Sequence, residues 1–148
     1  MYKNFKHVTP IQIRFSDIDA MGHLNNAVYL TYFELARVAY LDQIPNIDWD
    51  NKQYGLIVAK AELNYKAPVF MSDVIEVYIR TSHIGIKSFA VEYEMVKVLT
   101  NGERSTAATG TTIQVAYDYI NHKSVPLLEP WKKFLVEYEQ NPELLSNK

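Results

Sequence analysis

Residues 26–42 read NAVYLTYFELARVAYLD, and no other segment constrains the fold as strongly. Ala27, Val28, Leu30, Phe33, Leu35, Ala36, Val38, Ala39 and Leu41 leave Thr31, Glu34 and Arg37 as a narrow polar stripe. The spacing predicts a helix with Asn26 as its N-cap and Asn25 as the alternative cap. Pro45 is expected to stop it, and residues 46–55, with Trp49, to form a polar loop. A helix apolar around most of its circumference must be enclosed by the rest of the protein.

The enclosing material is extended chain. Residues 9–15 set Ile11, Ile13 and Phe15 on one face and Gln12 and Arg14 on the other. Residues 56–66 alternate Ile57, Ala59, Ala61, Leu63 and Tyr65 with Lys60, Glu62 and Asn64. Ile75, Val77 and Ile79 alternate with Glu76 and Arg80 in 74–82, and Phe89, Val91, Tyr93 and Met95 with Glu92 and Glu94 in 89–97. In 104–117, Ile113, Val115 and Tyr117 oppose smaller or polar residues. Pro68 with Asp73, Gly85, and Asn101-Gly102 mark the turns, the last a hairpin. A final helix opens at Pro130 with Trp131, Phe134, Leu135 and Tyr138 on one face.

Strand, long helix, four strands and short helix predict an α+β fold. Its expected form is a curved antiparallel sheet of about five strands wrapped around one long buried helix. With 148 residues and 48% hydrophobic content, one domain over 1–148 is expected, since no linker or repeat interrupts it. The edge strands of such a sheet need cover or a partner, which favours a homo-oligomer.

A net charge of -2 gives no field to draw nucleic acid or an anionic membrane. No apolar run is long enough to span a bilayer, and residues 1–10 lack a signal-peptide stretch. Cysteine is absent, which rules out disulfide and thiolate chemistry and suits a cytoplasmic location.

Chemistry concentrates in residues 15–26, FSDIDAMGHLNN, which place Asp17, Asp19 and His23 directly before a helix start. Unpaired N–H groups there can polarise a carbonyl, and a carboxylate beside them can attack it or activate water. The ordinary readings are that Asp and Asn cap or shape the turn and that His23 is a hydrogen-bonded structural residue. Asp17 and Asp19 also resemble a metal-binding pair, but the four His residues are too dispersed to complete a transition-metal site. No metal or cofactor is expected. A G-x-S-x-G elbow and a Gly-rich phosphate loop are both missing.

The stretch IQIRFSDIDAMGHLNNAVYLTYFELARVAYL carries the pattern D-x-D-x-x-G-H-x-N-N. LNYKAPVFMSDVIEVYIRTSHIGIKSFAVEYEMVK and GTTIQVAYDYINHKSVPLL follow in order. Over nearly its whole length the chain resembles the 4-hydroxybenzoyl-CoA thioesterase-like branch of the hot-dog superfamily. The resemblance implies hydrolysis of an acyl thioester of coenzyme A or of acyl carrier protein. It places the catalytic carboxylate on Asp19 and the oxyanion donor on the Asn26 backbone N–H. His23 matches a catalytic His of the related plant acyl-carrier-protein thioesterases, whose catalytic Asn position is Met21 here. In short-chain acyl-CoA hydrolases a Tyr and a His accompany the Asp, at positions that are Phe15 and Asn26 here. Asp19 serves as nucleophile or as general base, and His23 would orient water or position Asp19. The resemblance also implies a homodimer or homotetramer with the site at the subunit boundary.

Lys66, His83, Lys87 and Ser88 flank turns. They are candidates for the phosphates or pantetheine arm of coenzyme A, or else solvated strand ends. Glu34 is a reserve carboxylate whose ordinary role is an i,i+3 pair with Arg37. Two other functions compete: a hydratase or dehydratase pairing His23 with Glu34, and a non-catalytic acyl-CoA-binding module.

Overall fold

The computed structural model describes residues 2–44 and 52–145. Pro45, Asn46 and Trp49 lie outside the described residues. In chain order the elements are β1 (His7–Ile11), α1 (Val28–Asp42), β2 (Tyr54–Tyr65), β3 (Ile75–Ile84), β4 (Ser88–Val98), β5 (Arg104–Asp118), β6 (Lys123–Ser124) and α2 (Glu129–Glu139). The strands form one sheet in the order β1-β3-β4-β5-β2, with β6 paired to β5. β1 runs antiparallel to β3, with His7 opposite Ile79 and Ile11 opposite Ile75. The predicted α+β class and order of elements hold.

By its contacts the chain divides into two compact units, Met1–Leu41 with Leu63–Ile79 and Tyr93–Gly110, and Asp42–Glu62 with Arg80–Glu92 and Thr111–Lys148. In the first unit, α1 buries Tyr29, Tyr32, Phe33, Ala36, Tyr40 and Leu41, which share one helical face. Phe33 stacks on Tyr93 at 4.6 Å, and the Arg37 guanidinium donates to the Tyr93 hydroxyl at 3.0 Å. Ile75, Val77 and Ile79 of β3 are fully buried. A sheet covers only one side of a helix, and Leu30, Leu35 and Val38 on the other side of α1 stay exposed. Enclosure of the helix all round is therefore not what one chain achieves. Nor do Glu34 and Arg37 pair: Arg37 is turned to Tyr93, and Glu34 is exposed without an ion-pair partner among the described residues.

The N-terminal residues add a feature that the sequence reading lacks. Tyr2 and Phe5 bridge each other across Lys3 and Asn4, which both take positive φ. This tight turn sets Phe5 into a cluster with Tyr78, Val96 and Tyr2. Glu94 secures it, accepting from the Tyr2 hydroxyl at 3.0 Å, Lys3 Nζ at 3.2 Å and the Thr106 hydroxyl at 2.8 Å.

The first strand ends earlier than its alternation suggests. The chain tightens at Phe15–Asp17 into a 3-10 turn, closed by the Asp17 N–H on the Arg14 carbonyl at 2.9 Å. Phe15 thereby leaves the face it shares with Ile11 and Ile13 and is 86% exposed. β2 departs from expectation as well. It is the edge of the sheet, and most of its residues are exposed, apolar Ile57 and Val58 included.

In the second unit, Thr112, Gln114, Ala116 and Asp118 of β5 are buried, while Ile113, Val115 and Tyr117 are half-buried. The small and polar face is thus the more enclosed one, the reverse of the sequence reading. Gln114 donates to the Thr112 hydroxyl, and Asp118 is satisfied by Asn121 and the Ile120 N–H. Helix α2 buries Trp131 and Leu135 of the expected face and leaves Phe134 and Tyr138 half-buried, and its Glu139 carboxylate accepts the Thr81 N–H at 3.0 Å.

Candidate active site

The two aspartates of the D-x-D pair are placed oppositely. Asp17 is 2% exposed. Its carboxylate accepts from Arg14 Nη2 at 2.8 Å, Arg14 Nε at 3.1 Å and the Tyr32 hydroxyl. The Arg14 guanidinium, aided by Tyr32, holds the carboxyl at about 2, against the pull of burial. Burial and the bond to Asp17 push the Tyr32 hydroxyl up. The Asp17 carbonyl accepts the Asn25 N–H at 2.8 Å. Asp17 therefore staples the loop to 3-10 turn and helix alike.

Asp19 is exposed. Its Oδ1 accepts the N–H groups of Met21 at 2.9 Å and His23 at 3.1 Å. Its own N–H donates to the His23 carbonyl at 2.8 Å, and Gly22 closes the turn with φ +85. One oxygen is spent on the turn, and Oδ2 has no protein partner among the described residues.

His23 is fixed by its surroundings rather than by its ring nitrogens. It forms a backbone bridge with Phe70, and the two rings meet edge-on at 5.2 Å. The Leu24 N–H donates to the Val69 carbonyl at 2.7 Å. Lys97 braces this facing turn. Its Nζ reaches the Pro68 carbonyl at 3.0 Å and Asp73 Oδ2 at 3.2 Å, and lies over the Phe70 ring.

Of the two expected caps, the helix start takes the alternative, Asn25. Helix α1 begins at Val28, and the Asn25 side chain, not that of Asn26, accepts the Ala27 N–H, at 3.0 Å. The Asn25 carbonyl takes the Val28 N–H at 2.9 Å. The Asn26 N–H has no hydrogen-bond partner among the described residues. The Tyr65 hydroxyl donates to the Asn26 carbonyl at 2.8 Å, and its ring meets Tyr29 edge-on at 4.9 Å.

A pocket of about 380 Å³ gathers these groups, lined by Asp19, His23 and Asn26 together with Tyr29, Tyr65, Lys66 and Pro68. Four of the sequence-predicted residues, Asp19, His23, Asn26 and Lys66, thus share one hollow. His83, Lys87 and Ser88 do not line it and belong to the second compact unit, where Gly85 and Ser88 close the β3–β4 turn. Glu34 does not line it either. Tyr29 and Tyr65 are the residues that sequence reasoning missed. Tyr65 sat in a run whose alternation marked it only as a packing position, and Tyr29 was not singled out in its helix. Among the described residues no cluster of His, Asp or Glu is arranged to hold a metal.

The Thioesterase-like superfamily model matches residues 13–135, a span that takes in the whole pocket. The chain belongs to that superfamily. Its architecture is the hot-dog fold shared with solved thioesterases. A thioesterase of Thermus thermophilus, solved with coenzyme A and Zn, aligns with a TM-score of 0.80 and 32% identity over 95% of this chain and 98% of that one. A 1,4-dihydroxy-2-naphthoyl-CoA hydrolase of Synechococcus elongatus is 25% identical over 83% of this chain and 90% of its own length. The long-chain acyl-CoA thioesterase FadM of Escherichia coli is 28% identical over 54% of this chain and 61% of its own. Among the described residues no helix is long and apolar enough to cross a membrane.

Proposed function

We propose that this chain hydrolyses an acyl thioester, with an acyl-CoA as substrate, using Asp19 and the start of α1. The observation that carries the reading is the pairing, in one pocket, of a carboxylate with a spare oxygen and a helix-start amide with no partner. A thioester carbonyl is already activated, so a serine triad is not required. The Asn26 N–H holds the oxygen as it gains negative charge, a contact of a kind worth about 3 kcal/mol in the transition state. Asp19 Oδ2 either attacks the carbonyl carbon and expels the thiolate, leaving a mixed anhydride for water to open, or takes a proton from the attacking water. Both routes yield free acid and thiol. His23, braced by Phe70, orients the water. Lys66, which lines the pocket, meets the anionic part of the substrate.

The names of the relatives support a coenzyme A thioester over other esters. The hydratase reading needs His23 and Glu34 across one site, and Glu34 does not line the pocket. The exposed edge of β2 supports a homodimer at least, with strand β2 at the interface and a tetramer as the larger form. With a coenzyme A substrate and no cysteine in the chain, the place of work is the cytoplasm.

The test is a thiol-release screen over acyl-CoA and acyl-carrier-protein thioesters, with crotonyl-CoA hydration alongside. Thiol release by wild-type protein, lost in Asp19→Asn, is the expected result. Tight acyl-CoA binding that survives long incubation without release refutes hydrolysis. Single turnover in 18O-water then tests for attack by Asp19. Label in its carboxylate requires an anhydride that water opens at the Asp19 carbonyl, whereas opening at the acyl carbonyl, like general-base hydrolysis, puts the label in the product acid.

A further inference from the structure

We infer that the Tyr65 hydroxyl is a positioning group, which holds the peptides at the start of α1 so that the Asn26 N–H is presented to the substrate. The inference rests on the thioester reading above for its kinetic consequence, but its structural content stands apart from it.

The Asn26 carbonyl lies one residue too early for the helical ladder, since α1 begins at Val28. A carbonyl outside the ladder needs a partner from elsewhere. For this carbonyl the partner is Tyr65, 39 residues away, at 2.8 Å. The same Asn26–Ala27 peptide is held at its other end by Asn25 Oδ1 on the Ala27 N–H at 3.0 Å. A planar peptide gripped at both its oxygen and its hydrogen has little freedom to rotate.

The neighbouring plane is fixed through it. The Asn25 carbonyl accepts the Val28 N–H at 2.9 Å. In a trans peptide the N–H lies opposite the carbonyl, so the Asn26 N–H points back out of the helix. Loss of the Tyr65 bond leaves the Asn26–Ala27 peptide with the Asn25 side chain as its one remaining hold among the described residues. The Tyr65 ring itself is braced at right angles by the buried Tyr29 ring. The hydroxyl therefore arrives from a fixed wall, on a residue that is 51% exposed and lines the pocket. Its donor hydrogen is committed to Asn26, which makes Tyr65 a holder of the oxyanion donor and not an acid in the reaction.

Tyr65→Phe keeps the ring and removes the bond. With the best acyl-CoA of the thiol-release panel, kcat is expected to fall roughly ten-fold, a loss in the range that small misplacement of a reacting group produces, while KM stays within about two-fold. A trifluoromethyl ketone analogue of that acyl-CoA, whose hydrate imitates the oxyanion, should lose affinity in step with kcat; a thioether analogue should not. Asn25→Ala acts on the same peptide, so the two losses combine less than additively in the double variant. In NMR relaxation of the free protein, the Asn26 and Ala27 amides should drop below the order parameter of about 0.85 usual for rigid backbone. A rise in KM alone, or kcat unchanged in Tyr65→Phe, overturns the inference. If wild-type protein releases no thiol from any thioester, the functional reading fails, and the amide order parameters alone decide whether Tyr65 holds the corner.

Discussion

Replacing Asp17 by Asn removes the charge that holds the loop without removing its shape. The folded carboxyl sits at about 2, against an ordinary value of 3.8. That displacement corresponds to about 2 kcal/mol of stability at neutral pH. Arg14 is 67% exposed, so solvent screens part of the attraction, and an expected loss of about 1 to 2 kcal/mol follows. The sign follows from the direction of the shift. A carboxyl whose folded value is lowered adds stability above its unfolded value and loses it as pH falls through the folded one. The gap between wild type and Asp17→Asn should stay constant down to about pH 4, shrink to about half near pH 3 and close towards pH 2. Urea unfolding at fixed protein concentration, repeated across pH 3 to 7, reads this directly. A gap under about 0.5 kcal/mol at pH 7, or one that does not narrow with acid, refutes the buried-charge account of this loop.

The companion residue should behave in the opposite way. Asp19→Asn keeps an oxygen for the Met21 and His23 amides, so stability should change little while thiol release falls by about a thousand-fold; activity within a few-fold of wild type removes Asp19 from catalysis. His23→Ala is expected to lower kcat more than it raises KM, and a pure KM effect in steady-state assays would make His23 a substrate contact instead. Light scattering after size exclusion should give a dimer or larger, and Val58→Lys on the exposed β2 edge should weaken it; a fully active monomer at low concentration refutes a site shared between subunits.

What could be read from sequence was local. The D-x-D-x-x-G-H-x-N-N run fixes Asp19, His23 and Asn26 within eight positions, and a turn with its following helix brings them together without help from distant chain. Alternation located β3, β4 and β5 and the Gly102 hairpin, whose φ of +85 suits glycine. The errors arise where burial is decided by neighbours. On β5 both faces are covered, so apolarity no longer predicts which is inside. On β2 the edge position exposes residues whose pattern promised a core. Arg37 could choose Glu34 one turn away or Tyr93 on β4, and only tertiary packing makes the choice. Tyr65 was invisible for the same reason, since its partner is set by the register of a strand against a helix start.

Strand β2 carries Tyr65 at its end while its long edge stays open. The Tyr65 part of the pocket wall is thus carried by an edge strand of the sheet. If a second subunit pairs with this edge, dilution that strips it away would slacken the corner at Asn26 before it unfolded anything. Catalysis would then fade with falling protein concentration at constant secondary structure, and the chain would carry its own off-state in the unpaired edge.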